Sequence, residues 1–468
     1  MSTQALRRAD PRLPPGPSGF EAARFFARGT FEGTPAFLLD LRARFGPVTQ
    51  FRLLANRIWI ANDPDAIRDV LVTKNRAFVK SRGAVRLKRL LGEGLLTSEE
   101  PLHLRQRRLI QPAFHRERID RYAADMRDAA ASELATWVDG RQLDVGNAMT
   151  RLTLAIAART LFGASVTDDA EDVRASLTTT MELFPRFLSP LSELLDRLPV
   201  ASTRRFAAAR ARLDAVIYRM IARRRASGAD AGDLLSMLLL ARDAEGDGTG
   251  MSDEAVRDEA MTIFLAGHET TANALIWTLY LLSQNAAAAA RLAAEVDDQL
   301  GDRAATAADV ARLPFTRTVL AESMRIFPPA WITGRRATQD VEVGGYRMRR
   351  NEVVLMAPYV VHRDPRYYDE PEAFRPERWE TQAAHDAPKF AYFPFGGGPR
   401  LCIGEQFAWM EGVVVLATIA RRWRLELAPG TRVDIQPLVT LRPKYPMVMI
   451  PRARDRARAG TFAAAAGS

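Results

Sequence analysis

Cysteine and lysine are both scarce in this chain of 468 residues. Its one cysteine, Cys402, excludes an intrachain disulfide and is typical of a protein from a reducing compartment such as the cytoplasm. Five of the 66 basic residues are lysines and the others are arginines, so the net charge of +10 reflects an arginine-rich composition. No basic run is interleaved with aromatic residues, and we therefore expect no nucleic-acid partner.

The first 20 residues lack the long apolar run of a secretory signal or a membrane anchor. Charged residues interrupt this segment at Arg7, Arg8 and Asp10, and a proline-rich stretch follows over residues 14–17. A membrane-spanning helix needs about 20 consecutive, mostly apolar residues. We therefore expect no transmembrane anchor and a cytoplasmic location.

No linker-like break and no internal repeat interrupts the chain between Phe20 and Pro451. Apolar residues make up 47% of the composition, which is enough for a large core. These features predict three parts: an N-terminal segment over residues 1–20 with a proline-rich hinge, a single domain over residues 21–452, and a disordered tail over residues 453–468.

Helical patterns dominate between Pro64 and Phe327, with ends that are marked by glycine and proline. Alternating apolar residues predict a hairpin over Val48–Ala61, and the region Val341–Leu355 is also strand-like. Residues 358–399 are rich in proline and show little periodicity. The fold class is therefore mainly α with a minor β region.

The sequence around Cys402 reads Phe395-Gly-Gly-Gly-Pro-Arg-Leu-Cys-Ile-Gly404. Its glycines allow backbone to approach a flat macrocycle, and Arg400 can hold a carboxylate at the edge of such a ring. A helix predicted over Glu405–Arg421 places the sulfur at a helix N-terminus, where the dipole and free N–H groups favour a thiolate. A lone cysteine is usually a small buried apolar residue, and a glycine-rich run is usually an ordinary loop. The combination at fixed offsets favours a thiolate that binds haem iron.

A long helix is predicted over Met251–Gln284, and about 30 residues at 1.5 Å each would span about 45 Å. A threonine hydroxyl can bond the carbonyl four residues back, so we expect Thr270 to take the Ala266 carbonyl and open a groove beside Gly267. The alternative is an ordinary core helix with a solvent-facing pair, Glu269 and Thr270.

From about Pro14 to about Pro451 the chain resembles the cytochrome P-450 family. The residues that match the haem-binding signature of that family are Phe395, Gly398, Arg400, Cys402 and Gly404. The resemblance implies a fold with a long central helix over the haem, a helical prism and small β-sheets. It also implies that the cofactor is haem b and that Cys402 is the axial ligand of the iron.

The resemblance implies further roles on the central helix. Ala266-Gly267-His268-Glu269-Thr270 matches the family pattern of a small residue, glycine, a variable residue, an acid and threonine. Ala266 and Gly267 would lie against the haem. Glu269 would be the acid end of a proton relay, and Thr270 would donate beside the bound oxygen. His268 falls at the variable position and is interpreted as a packing or surface residue.

Glu322 and Arg325 lie three residues apart on one face of a predicted helix. This spacing recurs elsewhere in the chain and is a weak signal alone. Residues 374–379 resemble the meander motif of the family, with Trp379 where phenylalanine is usual. The resemblance implies that Arg378 joins Glu322 and Arg325 in a structural triad that holds the meander onto the haem loop.

His103 and Arg107 lie four residues apart, on one helix face. In related chains such a pair binds a haem propionate, and Arg335 and Arg400 match two further propionate contacts. Several cations against two carboxylates suit a cofactor whose acids are buried in protein. For His103 and Arg107 the alternative is a solvated basic helix.

The resemblance implies a haem-thiolate monooxygenase that inserts one atom of dioxygen into a C–H bond of an apolar substrate, either fatty-acid-like or terpenoid. Only a short tail follows the last strand, so we expect electrons to come from a separate ferredoxin or flavodoxin with its reductase. One alternative is a peroxygenase or a peroxide-rearranging enzyme, although such relatives typically lack the acid–threonine pair. The other alternative is a non-catalytic haem-binding protein.

Four segments are expected to line an apolar substrate pocket. These are Ser81–Leu96, Phe264–Ala266, Pro329–Thr333 and Val439–Leu441. On the early hairpin, Arg57 could receive a fatty-acid carboxylate or could be an exposed strand residue.

A positive docking face for an acidic electron donor is expected on the side of the sulfur. The arginines predicted to form it are Arg105, Arg108, Arg116, Arg118, Arg421 and Arg422. Docking of this kind should weaken steeply as the salt concentration rises.

Overall fold

The computed structural model describes residues 13–27, 31–53, 56–163, 200–228, 230–243 and 248–454, together with residues 175, 176, 179, 180 and 183. Most of the predicted segment 1–20 and of the predicted tail 453–468 lies outside these ranges, so the division into three parts stays a prediction. Among the described helices, none is both long and apolar enough to cross a membrane.

Helices supply most of the described chain, in agreement with the predicted fold class. In chain order they are α1 (Gly19–Ala27), α2 (Thr34–Phe45), α3 (Pro64–Arg68), α4 (Arg82–Arg86), α5 (Lys88–Leu91), α6 (Leu102–Ile110), α7 (Arg116–Leu134), α8 (Val145–Phe162), α9 (Ala201–Ser227), α10 (Leu234–Leu240), α11 (Asp253–Gln284), α12 (Ala286–Leu300), α13 (Pro314–Ile326), α14 (Pro358–Val361), α15 (Gln382–Asp386) and α16 (Glu405–Arg422).

The strands are short and form small sheets. They are β1 (Val48–Leu53), β2 (Asn56–Ala61), β3 (Phe78–Lys80), β4 (Leu143–Asp144), β5 (Thr333–Ala337), β6 (Val341–Val343), β7 (Tyr346–Met348), β8 (Val353–Met356), β9 (Trp423–Leu427), β10 (Ile435–Pro437), β11 (Leu441–Pro443) and β12 (Val448–Ala453). One sheet has the order β1-β2-β8-β5-β3, a second has the order β4-β12-β9, and β6-β7 and β10-β11 form two ribbons. In the first sheet β2 and β8 run parallel, and the other neighbours run antiparallel.

The predicted hairpin Val48–Ala61 is confirmed, with β1 and β2 paired along its length. The strand-like region Val341–Leu355 is divided, because β6 and β7 form a separate ribbon while β8 joins the five-stranded sheet. Gly344 and Gly345 make the turn of that ribbon with φ of 56° and 81°. This is the left-handed region, which glycine adopts without steric cost and which hairpin turns of this kind require.

The central helix α11 begins at Asp253, two residues later than predicted, and has 32 residues. Ser252 caps it by accepting a hydrogen bond from Ala255 N over 3.2 Å. The helix is buried on nearly every side, and Leu275 and Trp277 have no exposed surface. A helix that is buried all round belongs to the interior of a large domain.

The main core lies around the central helix, which packs against α8, α9, α13 and α16. On the other side of α16, the Tyr122 ring of α7 meets the Phe407 ring at 6.0 Å. Two smaller cores contain residues of the five-stranded sheet. Because Cys402 directly precedes α16, the same packing that buries α16 fixes the position of the sulfur.

Candidate active site

The loop before α16 holds Cys402 by backbone hydrogen bonds. Cys402 N donates to the Phe395 carbonyl over 3.0 Å, and Leu401 N donates to the Gly398 carbonyl over 3.0 Å. The helix that follows begins at Glu405, as predicted. These bonds close the loop into a rigid turn with the sulfur at its end.

Position 398 requires glycine because of its own backbone conformation and because another part of the backbone lies close to it. Its φ is +68°, and a Cβ atom there would lie 1.9 Å from the carbonyl oxygen of Leu71. No side chain fits that space without movement of the backbone. The sequence predicted a close approach of the glycines to a macrocycle, whereas the neighbour found at Gly398 is Leu71 of the chain. A Cβ atom at Gly404 would lie 4.0 Å from the sulfur, which is an ordinary contact.

Cys402 is exposed as a residue although protein atoms surround its thiol, which indicates that it borders an internal space. Burial raises the pKa of the Cys402 thiol to about 11, and the Gly404 N–H and Arg107 act weakly in the opposite direction. The Gly404 N–H lowers the pKa, as expected at a helix N-terminus, although burial has the larger effect, so the preference for a thiolate stays a prediction. A coordinated metal ion deprotonates a thiol outright, so binding to a metal would convert Cys402 to a thiolate.

Ala266 of the central helix is exposed, although the neighbouring Leu265 is buried. An exposed residue halfway along a buried helix indicates an internal space beside it. Thr270 Oγ1 donates to the Ala266 carbonyl over 2.8 Å, which is the predicted bond. Next to it, Thr271 Oγ1 donates to the Gly267 carbonyl over 3.2 Å. The helix therefore carries side-chain hydrogen bonds at the predicted groove.

Glu269 is half-buried, and its Oε1 accepts from Thr440 Oγ1 over 2.7 Å. The Glu269 carboxyl group is therefore bonded to the protein, which favours the relay interpretation over a solvent-facing acid. His268 is buried and packs against the Phe264 ring at 5.6 Å, with its Nδ1 2.8 Å from the Phe264 carbonyl. This confirms the interpretation of His268 as a packing residue, and burial lowers its pKa.

Three of the four groups predicted to bind propionates lie close enough to influence one another. Arg400 donates to the Ser98 carbonyl and to Glu99 Oε2, each over 2.7 Å. Burial, followed by the charge of Arg400, lowers the pKa of His103 to about 4 and that of Arg335 to about 10. These three side chains therefore share one region, in which the two arginines are charged and His103 is neutral near pH 7.

Arg107, the fourth group, donates to the Leu401 carbonyl over 2.8 Å and lies near Cys402. Its contact is with the loop that holds the sulfur, so its propionate role stays a prediction.

Lys80 belongs to the same cation cluster and was missed by the sequence reasoning. It is 6% exposed and its Nζ donates to the Leu96 carbonyl. Burial lowers its pKa to about 7, and Arg400 and Arg335 add to that effect. No motif marks this position, because Lys80 meets Arg335 and Arg400 only through folding.

The residues present fit haem b. Burying several cations together is unfavourable unless anions join them. Glu99 pairs with Arg400, and the two propionates of haem b would supply two further carboxylates for Arg400, Arg335 and Lys80. Cys402 supplies a thiol that borders an internal space, and Ala266 offers a small side chain with little steric demand. The donor set therefore suits a macrocycle with an axial sulfur ligand and two acids at its edge.

The predicted triad is present behind this loop and is fully buried at its centre. Arg325 Nε and Nη2 donate to the two oxygens of Glu322 over 2.9 Å each. Arg378 Nε donates to Glu322 Oε1 over 2.8 Å. Trp379 Nε1 adds a bond to Glu322 Oε2 over 3.0 Å, a contact that phenylalanine could not make. This fourth partner was not predicted.

The expected pocket segments Pro329–Thr333 and Val439–Leu441 lie side by side. Trp331 Nε1 donates to the Leu438 carbonyl over 3.0 Å. The segment Ser81–Leu96 is joined to the central helix, because Leu95 N donates to Glu259 Oε2 over 3.0 Å.

Arg57 is ion-paired with Glu352 at 3.0 Å, and its side chain is 18% exposed. It is therefore a half-buried strand residue with a carboxylate partner within the protein, which disfavours the role of a fatty-acid receptor.

The predicted docking face is only partly available. Arg108 donates to both oxygens of Asp243 over 3.0 Å, and Arg105 lies 3.5 Å from the same carboxylate, which is 3% exposed. Arg421 donates to two backbone carbonyls of the 302–303 turn. By contrast, the side chain of Arg116 is 92% exposed.

Comparisons with known proteins cover nearly the whole chain. The family model described as Cytochrome P-450 matches residues 14–450. Cyclooctatin synthase of Streptomyces melanosporofaciens is 42% identical over 89% of this chain and 91% of that protein. Cyclooctat-9-en-7-ol 5-monooxygenase of the same organism is 37% identical over 84% of this chain and 86% of that protein.

A solved structure has a similar fold over nearly the whole chain. The haem domain of cytochrome P450DA superposes with a TM-score of 0.85 and 28% identity, and the match covers 95% of this chain and 99% of that chain.

Proposed function

The chain belongs to the cytochrome P-450 family, and on that premise we propose that it oxidises a cyclic terpenoid with electrons from a separate ferredoxin or flavodoxin system. It is a haem-thiolate monooxygenase, and its cofactor is haem b. When bound, haem with a thiolate ligand activates dioxygen, so that one oxygen atom enters a C–H bond and the other leaves as water. This chemistry requires two electrons from a redox partner.

The proposed substrate class rests on the names of the two relatives reported above, which refer to cyclooctatin and to cyclooctat-9-en-7-ol. One of them names cyclooctat-9-en-7-ol, an unsaturated cyclic alcohol, as its substrate. The buried Trp331 and the half-buried Ile332 and Val439 offer apolar surface in the expected pocket segments. A ring skeleton with few polar groups gains affinity from such surfaces. The pairing of Arg57 with Glu352 removes the one cation considered for a fatty acid.

In this proposal Cys402 would ligate the haem iron, and the residues around it would hold the macrocycle. Gly398 allows the loop to close against Leu71, and Phe395 packs on Trp409 with ring centres 5.7 Å apart. Gly404 follows the ligand in the matched signature.

The propionates are assigned to Arg400, Arg335 and His103, with Lys80 added as a fourth partner. Arg107 supports the loop at Leu401 and completes the predicted set. Charge-assisted bonds of this kind are stronger than neutral ones and would offset the cost of burying these cations.

Ala266 and Gly267 would form the surface of the central helix that faces the haem. Glu269 and Thr270 would supply protons: the Glu269 carboxyl would give a proton to Thr270 Oγ1, and the Thr270 hydroxyl would donate its own proton towards the reaction centre. At rest the Thr270 hydroxyl bonds the Ala266 carbonyl and can rotate away from it. The presence of this pair also favours an oxygen-dependent reaction over the peroxide-dependent alternative.

The experiment that tests this proposal measures binding and turnover together. The purified holoenzyme is titrated with cyclic terpenoid alcohols and hydrocarbons, and with fatty acids of similar size, while the spin-state shift of the Soret band is followed. The compounds that bind are then incubated with NADPH and a surrogate ferredoxin and ferredoxin reductase. We expect a spin-state shift and a hydroxylated product from cyclic terpenoids only.

A shift and a product from fatty acids alone would overturn the substrate class. Product formation that requires added peroxide and ignores the electron donor would overturn the proposed electron supply.

A further inference from the structure

The acid of the central helix is held by a residue from a distant ribbon. Thr440 Oγ1 donates to Glu269 Oε1 over 2.7 Å. Asn273 Nδ2 lies 3.3 Å from Thr440 Oγ1 and 2.9 Å from the Glu269 carbonyl. Thr440 is 4% exposed and Asn273 is 5% exposed. Because a hydroxyl has one proton, Thr440 donates to Glu269 and accepts from Asn273, and the direction of both bonds is fixed.

Thr440 lies in the turn between β10 and β11. We name residues 438–441, which are this turn and the first residue of β11, the ribbon tip. This turn overlaps the segment that was expected to line the substrate pocket. Trp331 Nε1 donates to the Leu438 carbonyl over 3.0 Å, and Trp277 Nε1 donates to the Leu441 carbonyl over 3.0 Å. The tip is therefore bonded at one end to a second expected pocket segment and at the other end to the central helix.

We propose that Thr440 is a positioning residue that couples the ribbon tip to Glu269, so that contact of substrate with the tip sets the position of the carboxyl group that delivers protons. The ribbon tip contains both the residues expected to contact substrate and the hydroxyl that orients Glu269. A displacement of the tip therefore moves that hydroxyl. The inference rests on the proposed role of Glu269. It adds a link between substrate occupancy and proton delivery.

The physical reason is the small range over which a proton donor works. A donor must lie within about 3.2 Å of the group that takes its proton, directly or through one water. A carboxylate on a helix has several rotamers, and a fixed hydroxyl at one oxygen selects among them. Without the Thr440 hydroxyl the Glu269 carboxyl group loses the bond that fixes its rotamer. Proton delivery should then be slower, and electrons should be lost to peroxide instead of product.

The test compares Thr440→Val, which keeps the shape and removes the hydroxyl, with Thr440→Ser, which keeps the hydroxyl. For each holoenzyme the product and hydrogen peroxide formed per NADPH are measured, with the substrate Kd from the spin-state shift. We expect the Val variant to lower the product-to-peroxide ratio about tenfold, part of the 10²–10⁴-fold that a positioned proton donor contributes. We expect the Ser variant to restore the ratio and all variants to keep the Kd within about twofold.

A readout without turnover is hydrogen–deuterium exchange of peptides that contain the ribbon tip and residues 269–273. We expect faster exchange of both in the Val variant, since each loses its bond to the other. The matched control is Thr278→Val, which removes a fully buried hydroxyl bonded to the Ala274 carbonyl over 2.7 Å on the same helix. This control should leave the product-to-peroxide ratio unchanged.

Several results would overturn the coupling. An unchanged ratio in Thr440→Val would do so. A raised Kd with an unchanged ratio would make Thr440 a simple substrate contact. A loss of ratio that serine does not restore, or that the Thr278→Val control shares, would make it a packing effect.

Glu269→Gln separates this inference from the proposed function. If Glu269→Gln keeps the wild-type ratio, the proposed role of Glu269 fails and the inference fails with it. If Glu269→Gln lowers the ratio while Thr440→Val does not, only the inference fails. We expect both variants to lower the ratio, and the double variant to be no worse than Glu269→Gln alone.

Discussion

Glu411 shows how its surroundings decide the charge of a single side chain. It lies on α16, is 1% exposed, and neither oxygen completes a hydrogen bond in the described structure, although the carboxyl lies against Thr271. The Thr271 proton is directed to the Gly267 carbonyl, so Glu411 can bond this hydroxyl only as a donor. Burial raises the pKa of Glu411 well above its ordinary value. The acid is therefore neutral in the folded protein.

This neutrality predicts how stability depends on pH. Above its ordinary pKa of about 4.5, the Glu411 carboxyl is ionised in the unfolded chain and must take up a proton on folding, so its contribution to stability falls as pH rises. The glutamine in Glu411→Gln cannot ionise, so this variant does not lose stability at this position as pH rises. We expect the stability of the variant relative to wild type to improve from pH 5 to pH 8 by up to about 1.4 kcal/mol per pH unit.

Urea unfolding followed by tryptophan fluorescence at several pH values measures this difference. Parallel curves for the two proteins would show that Glu411 is ionised when folded.

His362 should give the opposite pH dependence. Its Nε2 accepts from Phe393 N over 3.0 Å, and burial, then the charges of Arg325 and Arg363, lowers its pKa to about 3. The pKa of His362 in the unfolded chain is about 6.5, so below this pH the unfolded chain binds a proton at His362 that the folded protein does not bind. The stabilising contribution is therefore complete above pH 6.5 and is lost as pH falls from about 6.5 towards 3.

His362→Gln offers an oxygen to Phe393 N and has no proton to gain. We expect this variant to lose less stability than wild type between pH 6.5 and pH 5, measured by thermal unfolding at each pH. An identical loss in both proteins would contradict the assignment of a neutral buried imidazole.

At the scale of single elements, the central helix carries more side-chain bonds than the sequence indicated. Four successive carbonyls accept from side chains: Ala266 from Thr270, Gly267 from Thr271, His268 from Thr153, and Glu269 from Asn273. Only the first was predicted. The bonds of Thr270, Thr271 and Asn273 follow from spacing on one helix, and sequence reasoning could have found the last two. The bond of Thr153 joins two helices and could not be found in this way.

The meander is the element that depends most on the predicted triad. It has only short helical segments of its own, so side chains must anchor it, and Glu322 receives donors from Arg325, Arg378 and Trp379. Removing one partner of a buried ion network leaves uncompensated charge and costs about 3–5 kcal/mol. We expect Glu322→Ala to give little or no haem-loaded protein, measured by the Soret absorbance per protein. Normal haem content would refute this.

Trp379→Phe is a finer test of the same anchor, because it removes one donor and keeps an aromatic ring. A lost bond to a charged group costs about 1–3 kcal/mol, so we expect a Tm lower by several degrees with haem still bound. The matched control is Trp423→Phe, since the indole N–H of Trp423 is buried without a hydrogen-bond partner among the described residues. Equal losses of Tm in both variants would show that ring size, and not the bond to Glu322, is what matters.

At the scale of the whole molecule, the sequence predicted the fold class, the central helix, the first hairpin and the loop of Cys402. These depend on spacing within one segment, which sequence patterns contain. Lys80 lies near Arg335 and Arg400, and Thr440 bonds Glu269, so these residues join segments more than 150 residues apart. Their residue types carry no motif. For Cys402, burial raises the pKa more than the Gly404 N–H lowers it, and a sequence pattern does not report burial. A cytoplasmic location stays a prediction.

The docking of the electron donor involves the molecule as a whole. With Arg105 and Arg108 bonded to Asp243, the most exposed predicted charges near α16 are Arg116 and Arg422. Exposed charges of this kind raise association rates by about 10–10³-fold at low salt, and the gain is screened within about 10 Å at 0.1 M salt. We therefore expect haem reduction by a ferredoxin or flavodoxin to slow at least about tenfold when both arginines are changed to glutamate.

The measurement is stopped-flow reduction under carbon monoxide at low and high ionic strength. The charge-matched control is Arg52→Glu, at an exposed position on the edge strand of the five-stranded sheet. Because the loss is electrostatic, raising the salt should bring the wild type and the double variant to similar rates, while Arg52→Glu stays close to wild type throughout. A reduction rate that is indifferent to salt in the wild type would place the docking surface elsewhere.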